Sequence, residues 1–146
     1  MNQKQTKQLV VKQSVALMKD PEDHPSLKLE DISMSINVSK FKICRCFQII
    51  TGTSPMRWYL LYRTFYAAQL IKHNRGLSIE EVSLKAGFKS SSHFTRSFQS
   101  ICELSPSQYK SKCTKPSKHQ NSLEDLRRIA IAQTMSLLQK ESEFFI

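Results

Sequence analysis

The stretch GFKSSSHFTRSFQSICELSPSQYK, residues 87–110, combines two patterns that an ordinary surface helix keeps apart. Its phenylalanine and isoleucine positions fall at the three- and four-residue spacing of a helix face turned toward a core. Between them stand serine, threonine, glutamine and arginine, with Glu103 as the one carboxylate. A solvated helix face normally interleaves glutamates with lysines and forms i,i+4 pairs. A face of hydroxyl, amide and guanidinium groups calls for a partner rich in negative charge and hydrogen-bond acceptors.

The same pattern occurs earlier in the chain. LEDISMSINVSKFKICRCFQIITGTSP (29–55) lies over IEEVSLKAGFKSSSHFTRSFQSICELSP (79–106). Leu29, Glu30, Ile32 and Ser33 match Ile79, Glu80, Val82 and Ser83 at a shift of fifty. After one extra residue the shift is fifty-one, and Ser39, Arg45, Phe47, Gln48 and Ser54-Pro55 match Ser90, Arg96, Phe98, Gln99 and Ser105-Pro106. Two copies are too few for a solenoid, so the chain holds a duplicated module.

Each copy predicts a short helix, a tight turn and a second helix. In the second copy Ser78 is an N-cap, with Glu81 in place for a capping box. Gly87 supplies the positive φ of the turn, and Ser90 caps a helix running to about Cys102. In the first copy Asn37 takes the turn position and Ser39 the cap. This is a helix-turn-helix, present twice. Projected at ~100° per residue, the first copy turns Ile43, Cys46, Phe47 and Ile50 inward and Phe41, Cys44, Arg45 and Gln48 outward. The second turns Phe94, Ser97, Phe98 and Ile101 inward and Ser92, Thr95, Arg96 and Gln99 outward. Such an outer face suits base edges and the phosphates beside them.

Ser54 and Pro55 open a further helix over about 55–73, closed by Asn74 and Gly76. Its aromatics, Trp58, Tyr59, Tyr62, Phe65 and Tyr66, are expected to pack into both modules rather than stack on bases. Residues 5–19 predict another amphipathic helix, with Leu9, Val10, Ala16 and Leu17 on or near one side, and Asp20–Ser26 a loop. The predicted organisation is an N-terminal helix with the first helix-turn-helix (1–53), a linker helix (54–75), a second helix-turn-helix (76–113), and a linker with an amphipathic C-terminal helix (114–146). With 40% apolar residues and only three glycines in 146, the fold class is all-α.

Charge placement agrees. Residues 1–38 and 116–146 each balance, whereas 39–115 hold thirteen Lys/Arg against Glu80, Glu81 and Glu103, which accounts for the whole net charge of +10. An excess confined to one segment marks a surface that faces a polyanion. The N-terminus has no apolar run of signal-peptide length, and WYLLY is flanked by Arg57 and Arg63, so the expectation is a cytoplasmic protein with no membrane partner. Cys44 and Cys46 point about 200° apart on a helix and cannot share a metal, so neither metal nor cofactor is expected and the cysteines should be free thiols.

These residues resemble the DNA-binding domain of the AraC/XylS family of bacterial transcription regulators. LSIEEVSLKAGF, SSSHFTRSF and LSPSQYK carry the resemblance in the second copy, and Tyr59-Leu60, Arg63, Ala67, Leu70 and Ile71 carry it in the linker. The resemblance covers about residues 5–113 and implies seven helices in two subdomains, each placing its second helix in successive major grooves of double-stranded DNA. Arg45 and Arg96 then stand where family members contact bases or nearby phosphates. Phe41 and Cys44 align with further base-facing positions of the first recognition helix, and Ser91, Ser92 and Thr95 with those of the second. Ser39, Lys40 and Ser90 sit at helix starts that can hold phosphate. Phe41 stands where the family often has Trp or a smaller polar residue, Cys44 where it has a polar one, and Glu103 replaces the family's glycine, which Gly52 keeps.

With 28 residues before the first helix-turn-helix, the chain looks like a short stand-alone member of the MarA/SoxS kind, acting as a monomer. Family habit suggests an activator that works with RNA polymerase. The expected helix 123–142 either folds back on the domain or serves as a dimerisation or partner-binding surface. Two rival readings stand beside this one. The first is a non-specific architectural nucleic-acid binder driven by the basic patch alone. The second is an enzyme, for which no nucleophile–base pair is legible: His24, His73, His93 and His119 are scattered, and Cys44 near Lys40 and Arg45 suggests at most a redox sensor.

Overall fold

A computed structural model describes residues 1–19, 21–22 and 27–114. Those residues form seven helices and no strand: α1 (Gln3–Met18), α2 (Leu29–Ile36), α3 (Lys40–Thr51), α4 (Pro55–His73), α5 (Ile79–Lys85), α6 (Ser91–Cys102) and α7 (Pro106–Thr114). The predicted helix 123–142 and its linker lie outside the described residues, as does most of the predicted 20–26 loop.

Local chemistry explains most boundaries. The Ser39, Ser54, Ser78 and Ser90 hydroxyls each accept the N–H three residues on, at 3.1–3.2 Å, which satisfies one orphan donor at the starts of α3, α4, α5 and α6. At the start of α2 the roles reverse, and the Lys28 N–H donates to Asp31 Oδ2 at 2.8 Å. Asn37 adopts the left-handed conformation at φ 55°, as the turn between α2 and α3 requires, and Gly87 does so between α5 and α6 at φ 82°. The matched serines fasten both turns: Ser33 Oγ donates to the Val38 carbonyl (2.6 Å) and Ser83 Oγ to the Ser90 carbonyl (3.4 Å).

α4 is the spine. Nineteen residues span roughly 28 Å at 1.5 Å per residue, and α4 packs against α3 near one end and against α5, α6 and α7 further along. Trp58 meets Phe47 of the first module edge-on at 6.4 Å. In the second module a chain of rings runs Phe88–Phe94–Phe98–Tyr109 at 5.0–5.6 Å between centroids. Each such pair adds about 0.5–1.5 kcal/mol to the burial itself. Trp58 and Tyr59 are buried and Tyr62, Phe65 and Tyr66 half-buried against the core, which is the packing role expected for them.

One of these contacts is charged. Arg63 on α4 lays its guanidinium between the rings of Tyr59 and Phe88, 4.5 Å from each centroid, and donates from Nη1 to the Gly87 carbonyl at 3.2 Å. Cation–π contacts of this partly desolvated kind contribute about 0.5–2 kcal/mol each. Burial pulls the guanidinium below its ordinary pKa, with Tyr59 acting in the opposite direction.

Three details differ from the expectation. α1 starts earlier than 5 and ends at Met18, and its buried side is Val10, Val11, Ser14, Val15 and Met18. Ala16 is exposed and Leu9 and Leu17 half-buried, because α1 turns the side bearing Val10, Val11, Ser14, Val15 and Met18 inward and packs on α2 and α3. Ile50 and Ser97, predicted inward, sit half-buried at the edges of their faces.

Glu103 ends α6 at φ 63°, in the left-handed conformation that Gly52 takes after α3 at φ 78°. A side chain there costs about 1–2 kcal/mol, part of which glycine would lose again to backbone entropy. Glu103→Gly is expected to raise the unfolding free energy by about 0.5–1 kcal/mol, read as a higher urea midpoint at unchanged slope.

Candidate DNA-binding interface

The two second helices of the modules, α3 and α6, present the same kind of outer face. Arg45 and Arg96 are exposed, and neither forms an ion pair within the described residues. Around Arg45 stand Phe41, exposed to 76%, and Gln48, whose amide Nε2 donates to the Gly52 carbonyl at 3.3 Å. Around Arg96 stand the exposed Ser91, Ser92 and Gln99. Cys44 and Thr95 are half-buried, less outward than the spacing predicts. Ser39 and Ser90 are exposed at the helix starts; their oxygens accept from Lys42 and His93 N–H, which leaves each hydroxyl proton available to an external acceptor.

Lys40 is committed differently. Its Nζ lies 3.2 Å from Glu30 Oε1 on α2, with both side chains more than half exposed. The Glu30 carboxyl is held below its usual pKa, first by its own backbone N–H and then by Lys40. Glu30 was visible in the sequence only as a marker of the repeat, matched to Glu80. Its pairing across the turn depends on the angle between α2 and α3, which spacing alone does not disclose.

His93 is the second residue whose role the spacing underread. Exposed on the first turn of α6, its ring meets Phe88 edge-on at 5.4 Å. Its pKa is lowered from the ordinary 6.5 by desolvation first, then by the positive charges of Arg63 and Arg96. Two large apolar residues also lie open at equivalent places in the modules, Met34 on α2 at 82% and Leu84 on α5 at 59%.

The cysteines are free thiols: Cys46 and Cys102 are buried, Cys44 and Cys113 half-buried. Burial raises the Cys46 pKa, so this thiol stays protonated. Among the described residues no three His, Cys, Asp or Glu side chains gather as metal ligands, and no helix is long and apolar enough to cross a membrane.

Paired helix-turn-helix units on a shared spine, each with a second helix that holds an exposed arginine and no carboxylate, define a class of double-stranded-DNA-binding domain. A family model described as a helix-turn-helix domain matches residues 32–112, more than half of the chain. Over 101 residues the chain is 34% identical to the HTH-type transcriptional regulator GbdR of Pseudomonas aeruginosa, covering 69% of this chain and 27% of that protein. It is 29% identical to the lactose operon transcription activator of Staphylococcus xylosus over 84 residues, 58% of this chain and 30% of that one. A crystal structure of an AraC-type DNA-binding regulator from Chromobacterium violaceum superposes with a TM-score of 0.65 at 28% identity, covering 75% of this chain and 96% of that one. The chain belongs to the AraC/XylS family, whose members are DNA-binding transcription regulators. It spans less than a third of the length of these two curated relatives.

The lowered His93 pKa has a definite sign. The unfolded chain takes up the proton more readily than the folded one, so stability is full above pH 6.5 and falls as pH drops below it. Urea midpoints measured from pH 7.5 down to 5.5 should decline, and His93→Gln should flatten part of that decline.

Proposed function

We propose that the chain is a sequence-specific double-stranded-DNA-binding transcription regulator that lays α3 and α6 into successive major grooves. The reading units are 1–53 and 76–113, carried by the linker 54–75. Arg45 and Arg96 read bases or adjacent phosphates. Phe41, Cys44 and Gln48 complete the first face; Ser91, Ser92, Thr95 and Gln99 complete the second. Ser39, Lys40 and Ser90 hold phosphates at the helix starts. The regulator acts in the cytoplasm as a monomer on an asymmetric site, and as an activator through RNA polymerase; the similarity to the lactose operon transcription activator of Staphylococcus xylosus supports that sign.

One observation carries this reading: exposed arginines with no ion-pair partner among the described residues recur at matched positions of two serine-capped helices. A merely architectural binder has no use for that duplication, since phosphate attraction needs charge and not a repeated face.

Binding-site selection should recover one asymmetric motif. Arg45→Ala and Arg96→Ala should each relax preference in a different half of it, at a cost of about 1–3 kcal/mol. Affinity that falls with salt alike for every sequence, with both variants keeping wild-type preference, refutes the proposal in favour of the architectural reading.

Glu30→Gln should release Lys40 to phosphate, tightening binding about threefold for all sequences and steepening the salt slope by up to about one. Weaker binding by this variant would mean that Glu30 positions Lys40 rather than restraining it.

A further inference from the structure

The segment that follows α1 crosses to the second module, and the contact is tight enough to dictate a residue. A Cβ placed on Gly87 would lie 2.6 Å from the Pro21 carbonyl oxygen and 3.0 Å from the Pro21 Cβ. Pro21 is buried, and beside it the Glu22 carboxylate lies 4.0 Å from Lys85 Nζ on α5. The neighbouring Lys19 carbonyl accepts from Tyr62 Oη of α4 at 3.1 Å. On the second module's own side, Arg63 holds the Gly87 carbonyl and clasps Phe88. Phe88 in turn touches both His93 and Phe94 in the first two turns of α6.

These contacts join three parts of the chain that the repeat alone leaves independent: the exit of α1, which packs on the first module; the middle of α4; and the turn on which α6 rests. We infer that Pro21, Tyr62 and Arg63 form a latch that fixes the relative setting of α3 and α6, and thereby the half-site spacing the chain accepts. The inference rests on the reading of α3 and α6 as the two DNA-contacting helices. Arg63 is a positioning residue in this scheme: half-buried beneath Phe88, it acts on DNA only through the turn and the ring.

Burial is suited to that task. A flexible surface ion pair could not hold an angle, because long side chains exchange partners in water. A guanidinium packed between two rings has a set plane, and a loop backbone seated on a glycine has no side chain to slide past. One base pair inserted between half-sites moves the second by roughly 3.4 Å and 34° around the duplex. An unlatched chain can follow that displacement by turning one module on α4, whereas a latched chain cannot.

The test uses the full chain and the duplex recovered by selection with it, compared with duplexes carrying one base pair more or fewer between the halves. The wild type should lose tenfold or more in affinity on either altered duplex, a change on the scale of a single mismatched base pair. Arg63→Met, which fills the space between the rings without a cation or a donor, should lose less than about threefold relative to its own binding of the original spacing. Arg63→Lys, which keeps the cation, should restore part of the discrimination.

Should Arg63→Met fail to fold, Pro21→Gly combined with Tyr62→Phe loosens the latch from the other side and should show the same tolerance. Binding to a duplex with only the second half-site should stay unchanged in every folded variant, which separates a lost setting from a damaged module. Variants that discriminate spacing as sharply as the wild type overturn the latch and leave the proposed function standing. A wild-type chain that shows no sequence preference overturns both.

Discussion

Neither helix-turn-helix can bury itself. α2 has eight residues and α5 seven, lengths at which an isolated helix is unstable in water. Of α2 only Ile32 is buried, and of α5 only Val82 and Ser83. Each module therefore needs a third surface, and α4 gives one to both. That is why α4 lacks a single polar face: Trp58 and Tyr59 go to the core near its start and Ala67, Ala68 and Ile71 near its end. In its first half Trp58 reaches across to Phe47 of the first module, and further along α4 packs on α5, α6 and α7. α1 and α7 then close what remains open, α1 against α2 and α3, α7 against α4 and α6.

With packing supplied from the inside, the outer faces of α3 and α6 are released from any structural duty. Phe94, Phe98, Ile101 and Cys102 hold α6, so Ser91, Ser92, Arg96 and Gln99 can be chosen for what lies outside. The two copies use that freedom unequally. α6 offers small hydroxyls around its arginine, which suit a close approach of the backbone to DNA. α3 offers the exposed ring of Phe41 and the half-buried thiol of Cys44, a pair suited to thymine methyl groups and groove shape more than to a donor–acceptor pattern. A duplicated scaffold has thus come to carry two different chemistries.

The legible features of the sequence were local ones. Serine caps, Asn37 and Gly87 act within a few residues of themselves, so spacing alone placed the starts of α3 to α6 to within a residue. The apolar period likewise located Phe47 and Phe98, whose burial follows from belonging to the middle of their stripes. Stripe edges were less legible. Ile50, Ser97 and Ala16 lie within one residue's rotation of a face, and the helix packed against them decides which way that residue falls. Features that join distant segments left no trace in periodicity at all. Arg63 read as a charge flanking WYLLY and as one linker position of the family resemblance, and Pro21 fell unremarked within the 20–26 loop. Their partners, Phe88 and Gly87, are 25 and 66 residues away respectively, and no one-dimensional pattern links them.

Joining two modest readers on one spine has an energetic logic that the charge excess lacks. Counterion release rewards any arrangement of thirteen cations and does not distinguish sequences. Two faces held together convert the second contact into an intramolecular event, with an effective concentration that depends on how well the span between them matches the target. A loose linker would spread that advantage over many spacings and weaken each. Holding α3 and α6 through the half-buried Arg63 and a Pro21 backbone seated on Gly87 would concentrate it on one. The conformational entropy of the link is then lost on folding rather than on binding DNA, which is the general benefit of preorganisation. Selectivity in a chain so built would rest on residues away from the outer faces of α3 and α6 as well as on the arginines those faces present.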